Sequence, residues 1–286
     1  MPRTTPRPVI RHLPDLGITV ISRWIFNCYV IHDGGDGRPF VVDLGLPSQV
    51  DLVAAVLRDH GSDLSELAAA VATHGHADHV GGLPGLRERA GTAVHLPQAI
   101  AEMAAGARAR RAPGPRQVNH ILPVMASQPL DLGTLPELAR SAKVIGWDAK
   151  QVRLPFRPDS WLVDGAHLPG LPDWKVLGTP GHSDDSTCLL HAPTRTLLSG
   201  DAVLTAEGRA WFNPERVDRD LADATEERLR LLDVEHVLPG HGLVVSGSRV
   251  LAEARSHRDQ DSAAARARAL WAVVRSHGSP SARLRA

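Results

Sequence analysis

The chain has 286 residues, with 32 basic against 32 acidic side chains, 15 histidines and only 2 cysteines. That length can bury a sizeable core, and 43% hydrophobic with 22% charged residues is the composition of a folded globular protein. Two cysteines cannot staple a disulfide miniprotein. A formal net charge of zero argues against a polyanion-binding surface as the main function, since nucleic-acid binders carry a basic excess. The opening MPRTTPRPVIRHLPDLG has no apolar signal core, and no run reaches the roughly 18 apolar residues that span a bilayer, so the expected location is the cytoplasm. Cys28 and Cys188 lack metal-ligand spacing and read as small core residues.

Residues 1–14 read as an N-terminal extension. Alternating segments from Gly17 to Ser22, Ile25 to His32 and Phe40 to Asp43, with a turn at Asp33-Gly34-Gly35-Asp36-Gly37, predict a β-meander. Ser48 stands where an N-cap belongs, and Val50, Val53, Val56 and Leu57 share one face of a helix that breaks at Gly61. Leu67 to Ala72 is short and apolar without alternation, as in a strand buried on both faces, and runs into Thr73-His74-Gly75-His76-Ala77-Asp78-His79. Val80 to Ala90 reads as a helix, Thr92 to Leu96 as a strand, and Gln98 to Arg111 as an alanine-rich helix.

Prolines and turn residues recur from Pro113 to Asp159, with helical character only near Leu135 to Lys143, so about 98–160 reads as an insertion or lid. Strands are predicted again at Trp161 to Val163, Trp174 to Leu177, Ser186 to His191, Thr196 to Ser199 and His236 to Leu238, with a helix over Leu221 to Leu232. Residues 246–286 read as a C-terminal helix, from Ser248 to about Ser276, and a tail. Strands, helix, inner strand and helix, repeated, predict an α/β protein: an αββα four-layer sandwich of two mixed sheets with outer helices over residues 15–245.

Five histidines and two aspartates occupy one kind of context, a predicted strand ending in a glycine-rich turn. They are His74, His76, Asp78 and His79; His182 in Gly178-Thr179-Pro180-Gly181-His182; Asp201 in Leu198-Ser199-Gly200-Asp201; and His241 in Pro239-Gly240-His241-Gly242. Imidazole and carboxylate suit zinc or a neighbouring transition metal, and the cluster at 74–79 exceeds what one tetrahedral ion accepts from a tight loop. Two ions would use it fully. The competing reading is a polar turn that caps the next helix, with Asp78 as the N-cap.

These motifs, in this order and spacing, resemble the metallo-β-lactamase fold superfamily over about residues 15–245. The resemblance implies that His74, His76 and His182 hold one divalent ion and that Asp78, His79 and His241 hold a second. Asp201 and a hydroxide would bridge them, and Asp78 and Asp201 would also serve catalysis. Two such ions, about 3.5–4 Å apart, bring a bridging water toward neutral pKa and polarise a carbonyl or phosphoryl oxygen. Zn2+ is the expected metal, with Mn2+ or Fe2+ as alternatives. Asp43, in Val-Asp-Leu-Gly, resembles the family's aspartate beside the metal loop and is expected to orient ligands.

A bridging Asp201 together with His79 resembles the hydroxyacylglutathione hydrolases, lactonases and related esterases more than true β-lactamases, so the expected reaction is hydrolysis of a small-molecule ester, thioester or lactone. Ser183-Asp184-Asp185-Ser186 departs from the family pattern and suggests an extra carboxylate facing anionic substrates. The only tyrosine, Tyr29, lies in the first meander, away from the lactonase position. Trp147, Phe156 and Trp161 cluster in the insertion, and Trp211-Phe212 follows the bridging aspartate. Trp211 and Phe212 are the expected lining of an apolar substrate pocket. Arg108, Arg110, Arg111 and Arg116 raise the phosphodiesterase or nuclease branch, but read better as a solvated helix face. A mononuclear-iron, persulfide-dioxygenase-like oxidoreductase is the other alternative. The expected partner is a small-molecule substrate, with no nucleic acid and no membrane, and a homodimer is the assembly left open.

Overall fold

The computed structural model describes residues 8–114, 117–145 and 153–259. The chain opens with an antiparallel meander, β1 (Val9–Leu13), β2 (Ile18–Arg23), β3 (Phe26–Ile31) and β4 (Phe40–Val42). Helix α1 (Gln49–Asp59) then crosses over to β5 (Ala69–Val71), parallel to β4. The short α2 (Ala77–Val80) and α3 (Leu83–Ala90) lead to β6 (Val94–Pro97), parallel to β5. A long crossover through α4 (Ala99–Ala104), α5 (Leu122–Met125) and α6 (Thr134–Val144) returns to β7 (Ser160–Leu162), parallel to β6. The seven strands lie in sequence order in one mixed sheet.

The second sheet has the order β15-β14-β11-β10-β9-β8. Its strands are β8 (His167–Leu168), β9 (Leu171–Gly178), β10 (Thr187–His191), β11 (Thr196–Gly200), β14 (His236–Pro239) and β15 (Val245–Ser246), and only the β11–β14 pair is parallel. A separate hairpin, β12 (Val203–Ala206) with β13 (Arg209–Phe212), and helix α7 (Arg219–Arg230) lie between β11 and β14 in sequence. Asp218 caps α7, its carboxylate accepting from the backbone N–H groups of Asp220 and Leu221.

Alternation along each strand builds four layers. Tyr29, Ile31, Phe40 and Val42 pack against Trp174, Val176, Leu189, Leu198 and Leu238 between the sheets. Their neighbours Cys28, Val30 and Val41 face outward onto Val50, Val53 and Leu57 of α1 and Leu83 and Leu86 of α3. On the far side, Cys188, Leu197 and Val237 pack with Leu229 of α7. Each fully buried side chain of this size contributes about 1.5–3 kcal/mol. A one-residue slip would exchange the two faces of a strand, so the register is strongly held. The αββα sandwich of two mixed sheets is therefore the observed architecture.

Several predicted boundaries move. The segment expected as an extension supplies β1, paired with β2 from Val9↔Ser22 to Leu13↔Ile18. It is an exposed edge strand, so it carries no hydrophobic alternation to betray it. The helix expected from Gln98 to Arg111 stops at Ala104. The insertion at 98–160 is the β6–β7 crossover. The expected C-terminal helix is absent from residues 248–259, which form turns, and the rest of that prediction lies outside the described residues. No described helix is long and apolar enough to cross a membrane.

Candidate metal centre

Strands β4 and β5 of the first sheet run parallel, as do β9, β11 and β14 of the second, and the chain beyond their C-terminal ends converges on one buried site. Asp43 follows β4. His74 and His76 follow β5, and Asp78 and His79 sit on α2. His182 lies in the β9–β10 loop, Asp201 directly after β11, and His241 beyond β14. His74, His76, His182 and Asp201 each bring one ligand atom within 4.8 Å of the others, as do Asp78, His79 and His241. Asp201 joins the two groups. Its Oδ2 lies 3.4 Å from His182 Nε2 and 3.2 Å from His241 Nε2, and its Oδ1 lies 3.4 Å from His79 Nε2. Asp78 Oδ2 is 3.2 Å from His241 Nε2. His76, rather than Asp78, occupies the N-cap position of α2, so Asp78 faces the cluster instead of capping.

Four imidazoles have an oxygen beside Nδ1. His182 donates to the Glu215 carbonyl at 2.9 Å and His241 to the Ile25 carbonyl at 3.0 Å, while His79 Nδ1 lies 3.0 Å from Asp43 Oδ2, an ion-pair contact without hydrogen-bond geometry. His74 Nδ1 lies 3.2 Å from Thr73 Oγ1, which itself donates to Asp43. A ring whose single proton is held at Nδ1 presents the Nε2 lone pair to the centre, the arrangement that fixes metal-binding imidazoles. The His74 and His79 Nε2 atoms and Asp201 Oδ1 are buried with no hydrogen-bond partner among the described residues. Such orphans are costly unless a cation occupies the space between them, so the donor set fits divalent metals.

Electrostatics agree. Burial pushes His74 and His76 down, toward the neutral form that ligates. Burial would lower His79 and His241 too, but Asp43, Asp201 and Asp78 outweigh it at His79. Asp201 and Asp78 lift His241 to about 10. Burial raises Asp78 and Asp201, yet the adjacent His79 and His241 hold both below the usual carboxylate range. In the metal-free chain, protons thus stand where cations would.

The sequence reading missed the supports. Asn27 Nδ2 donates to the carbonyls of Pro239 and Gly242 at 2.9 and 2.8 Å, and Tyr29 Oη donates to Pro239 at 2.5 Å, clamping the turn that carries His241. Gly240 is required there, because a Cβ would run into the Asp201 carboxylate and the His79 ring. Asp185 accepts the Gly75 N–H at 2.6 Å, and Asp184 pairs with Arg111. These two carboxylates hold the metal loop and the rim rather than face substrate, contrary to the expectation from the Ser183–Ser186 departure. The pairing partner of Gly75 was legible only as an unusual acidic pair.

Trp211 and Phe212 do not line the cleft. The β12–β13 hairpin buries both: Trp211 packs with Ile121, Val124 and Leu204, and Phe212 with Val203 and Leu229. Arg255 stacks 4.2 Å over Trp211 and Arg230 4.9 Å over Phe212, so these aromatics are structural. Phe156 and Trp161 pack on the α1–α3 core, and Trp147 lies outside the described residues. The basic run is not a helix face, since α4 ends before it. Arg108 pairs with Glu102 and Arg111 with Asp184 and Asp218, while Arg116 is outside the described residues.

The space above the centre is instead walled by Trp24, Ile25 and Phe26 of the β2–β3 turn and by Ile121, Met125, Leu135, Leu138, Ala139 and Ala142 of the crossover. This cleft of about 520 Å³ ends on His76, Asp78, His182, Asp201 and His241, with Glu215 beside them. Arg23 locks the wall in place, donating to Asp131 at 2.7 and 2.8 Å and to Glu137 at 2.8 Å, and Trp24 Nε1 donates to the Met125 carbonyl at 3.0 Å. No single signal marks these residues in the sequence, because they come from segments about a hundred positions apart.

Two facing mixed sheets with a buried His–Asp cluster at the ends of their strands make a candidate metal centre. The chain belongs to the Metallo-beta-lactamase superfamily, whose family model matches residues 23–241. It is 24% identical over 270 residues to the Probable metallo-hydrolase YflN of Bacillus subtilis (strain 168), covering 86% of this chain and 92% of that one. It is 30% identical over 217 residues to the Acyl-coenzyme A thioesterase MBLAC2 of Gallus gallus, covering 72% and 69%. Among solved structures, the metallo-beta-lactamase family protein TTHA1429 from Thermus thermophilus superposes with a TM-score of 0.52 at 20% identity, covering 86% of this chain and 77% of that one.

Proposed function

We propose that this protein is a dinuclear-metal hydrolase of a small ester, thioester or lactone whose acyl or ring portion is apolar. The observation that carries this reading is the apolar cleft of about 520 Å³ that ends on both groups of metal-ligating side chains. His74, His76 and His182 would hold one ion, Asp78, His79 and His241 the other, and Asp201 would reach both. Two divalent cations, for which zinc suits this nitrogen-rich set, supply Lewis-acid polarisation of the scissile carbonyl and a nucleophile from water at neutral pH.

The chain's own residues do the rest. The Glu215 and Ile25 carbonyls hold His182 and His241 in the tautomer that faces inward, and the Asp43 carboxylate lies against His79 Nδ1 at 3.0 Å. Trp24, Phe26, Met125 and Leu138 exclude water and seat the apolar group. The name of the Gallus gallus relative supports the thioester arm of the reading. A phosphodiester substrate is disfavoured because Arg108 and Arg111 are engaged in ion pairs rather than lined up along a path for a backbone.

The test is a panel of aryl esters, acyl thioesters of increasing chain length, lactones and phosphodiesters, assayed with metal-stripped and with zinc- or manganese-restored enzyme. Turnover of an ester, thioester or lactone that needs metal and improves with acyl length supports the reading. One iron per chain with oxygen consumption, or preference for phosphodiesters, overturns it.

A further inference from the structure

Away from the catalytic centre, three more histidines converge from separate elements: His12 of β1, His32 just beyond β3 and His60 at the C-terminal end of α1. Each brings a ring nitrogen within 4.8 Å of the others. The His32 and His60 rings stack with centroids 3.8 Å apart, and His12 and His60 lie 5.2 Å apart. His12 Nδ1 and His32 Nε2 lie 2.9 and 2.7 Å from the same buried hydroxyl, Thr19 Oγ1, which can accept from both. His60 Nδ1 donates to the Val56 carbonyl at 2.9 Å.

We propose that His12, His32 and His60 form a separate surface site for a borderline transition-metal cation such as Zn2+, Cu2+ or Ni2+.

His60 Nδ1 is tethered to a carbonyl, which leaves its Nε2 to carry the lone pair, and the Thr19 hydroxyl, with one hydrogen to give, holds His12 and His32 while leaving their tautomers to be selected by the cation. This is the outer-sphere pattern that prepares imidazoles for metal. The group is made of the three histidines alone, without a carboxylate. Burial, with His60 and His12 beside it, pushes His32 down to about 4, toward its own neutral form. Imidazole ligates in its ring plane, so the stacked His60 must tilt away from His32, which its exposed place at the helix end allows.

The site is remote from the catalytic centre. Asn27 on β3 touches the turn that carries His241, and at about 3.3 Å per residue His32 lies roughly 17 Å further along that strand. An ion there would tie β1, β3 and the end of α1 together, stabilising the folded state over the unfolded one.

The experiment counts metal in the full-length protein dialysed against Zn2+ at pH 7.5, comparing wild type with His60→Ala and His12→Ala, and follows thermal unfolding of each with added Zn2+. Both variants are expected to hold one zinc equivalent fewer than wild type, whatever number the catalytic centre holds. They should also lose part of the zinc-dependent rise in Tm and keep any metal-dependent hydrolysis. Equal zinc counts in wild type and both variants would overturn the proposal. So would a missing equivalent accompanied by lost hydrolysis, which would place the absent ion in the catalytic centre.

Discussion

An Asp43→Asn substitution separates the charge of one carboxylate from its shape. Asp43 sits at φ +58°, a backbone conformation that asparagine also adopts, so the exchange introduces no new strain. Its Oδ1 accepts the Thr73 N–H at 2.8 Å and its Oδ2 lies 3.0 Å from His79 Nδ1. An amide has only one oxygen. If that oxygen stays on Thr73, an N–H faces His79 Nδ1, and the ring must move its proton to Nε2, which blocks the lone pair aimed at the centre. If it turns to His79, the Thr73 N–H loses its acceptor and the start of the metal loop loosens. Removing such an outer partner typically costs 10–100-fold in metal affinity, about 1.4–2.7 kcal/mol. Competition between the metal-free protein and a chromogenic zinc chelator reads this directly. One ion should weaken by one to two decades, while excess zinc restores most of the hydrolysis. An asparagine variant that binds every ion as tightly as wild type would refute the orienting role of Asp43.

Asp201→Ala removes the carboxylate shared by both ligand groups, so metal content by elemental analysis and hydrolysis should fall together. Retained activity would remove Asp201 from the centre. Ala139→Trp fills part of the cleft, and the resulting overpacking, about 1–3 kcal/mol, should raise KM for long-chain acyl substrates roughly tenfold or more while sparing an acetyl ester. Equal effects on both would place the acyl group elsewhere. The metal-free centre also has a defined pH response. Because His241 is lifted to about 10 in the folded state, its protonation stabilises the metal-free fold fully below about pH 6.5 and is lost as pH rises through 10. Metal must displace that proton, so affinity should climb across the same window, with proton release visible as a buffer-dependent binding enthalpy. A pH-independent affinity between 6 and 9 would contradict it.

The residues that converge on the candidate centre were legible because their signal is local. His74, His76, Asp78 and His79 stand in one short run, and His182, Asp201 and His241 each follow a recognisable apolar strand and a glycine-rich turn. The sandwich was legible for a similar reason, since alternating and continuous apolar strands dictate which faces are buried. β1 escaped because an exposed edge strand leaves no such pattern. Alanine and arginine content predicts a helix from 248, but residues 248–259 form turns, since propensity is a weak prior.

What the amino-acid sequence by itself determined is the chemistry of the centre: an oxygen- and nitrogen-donor set placed beyond strands, in a chain with two cysteines that both became core residues. Only the tertiary structure decided which side chains surround the substrate. Trp211 and Phe212 follow shortly after Asp201 in sequence yet turn into the core, while Trp24, Met125 and Leu138 meet over the His–Asp cluster from two distant segments joined by Arg23, Asp131 and Glu137. Metal ligands are specified by short-range geometry at a strand end. A pocket wall is specified by which surfaces pack across the sheet, a long-range property that no local pattern encodes.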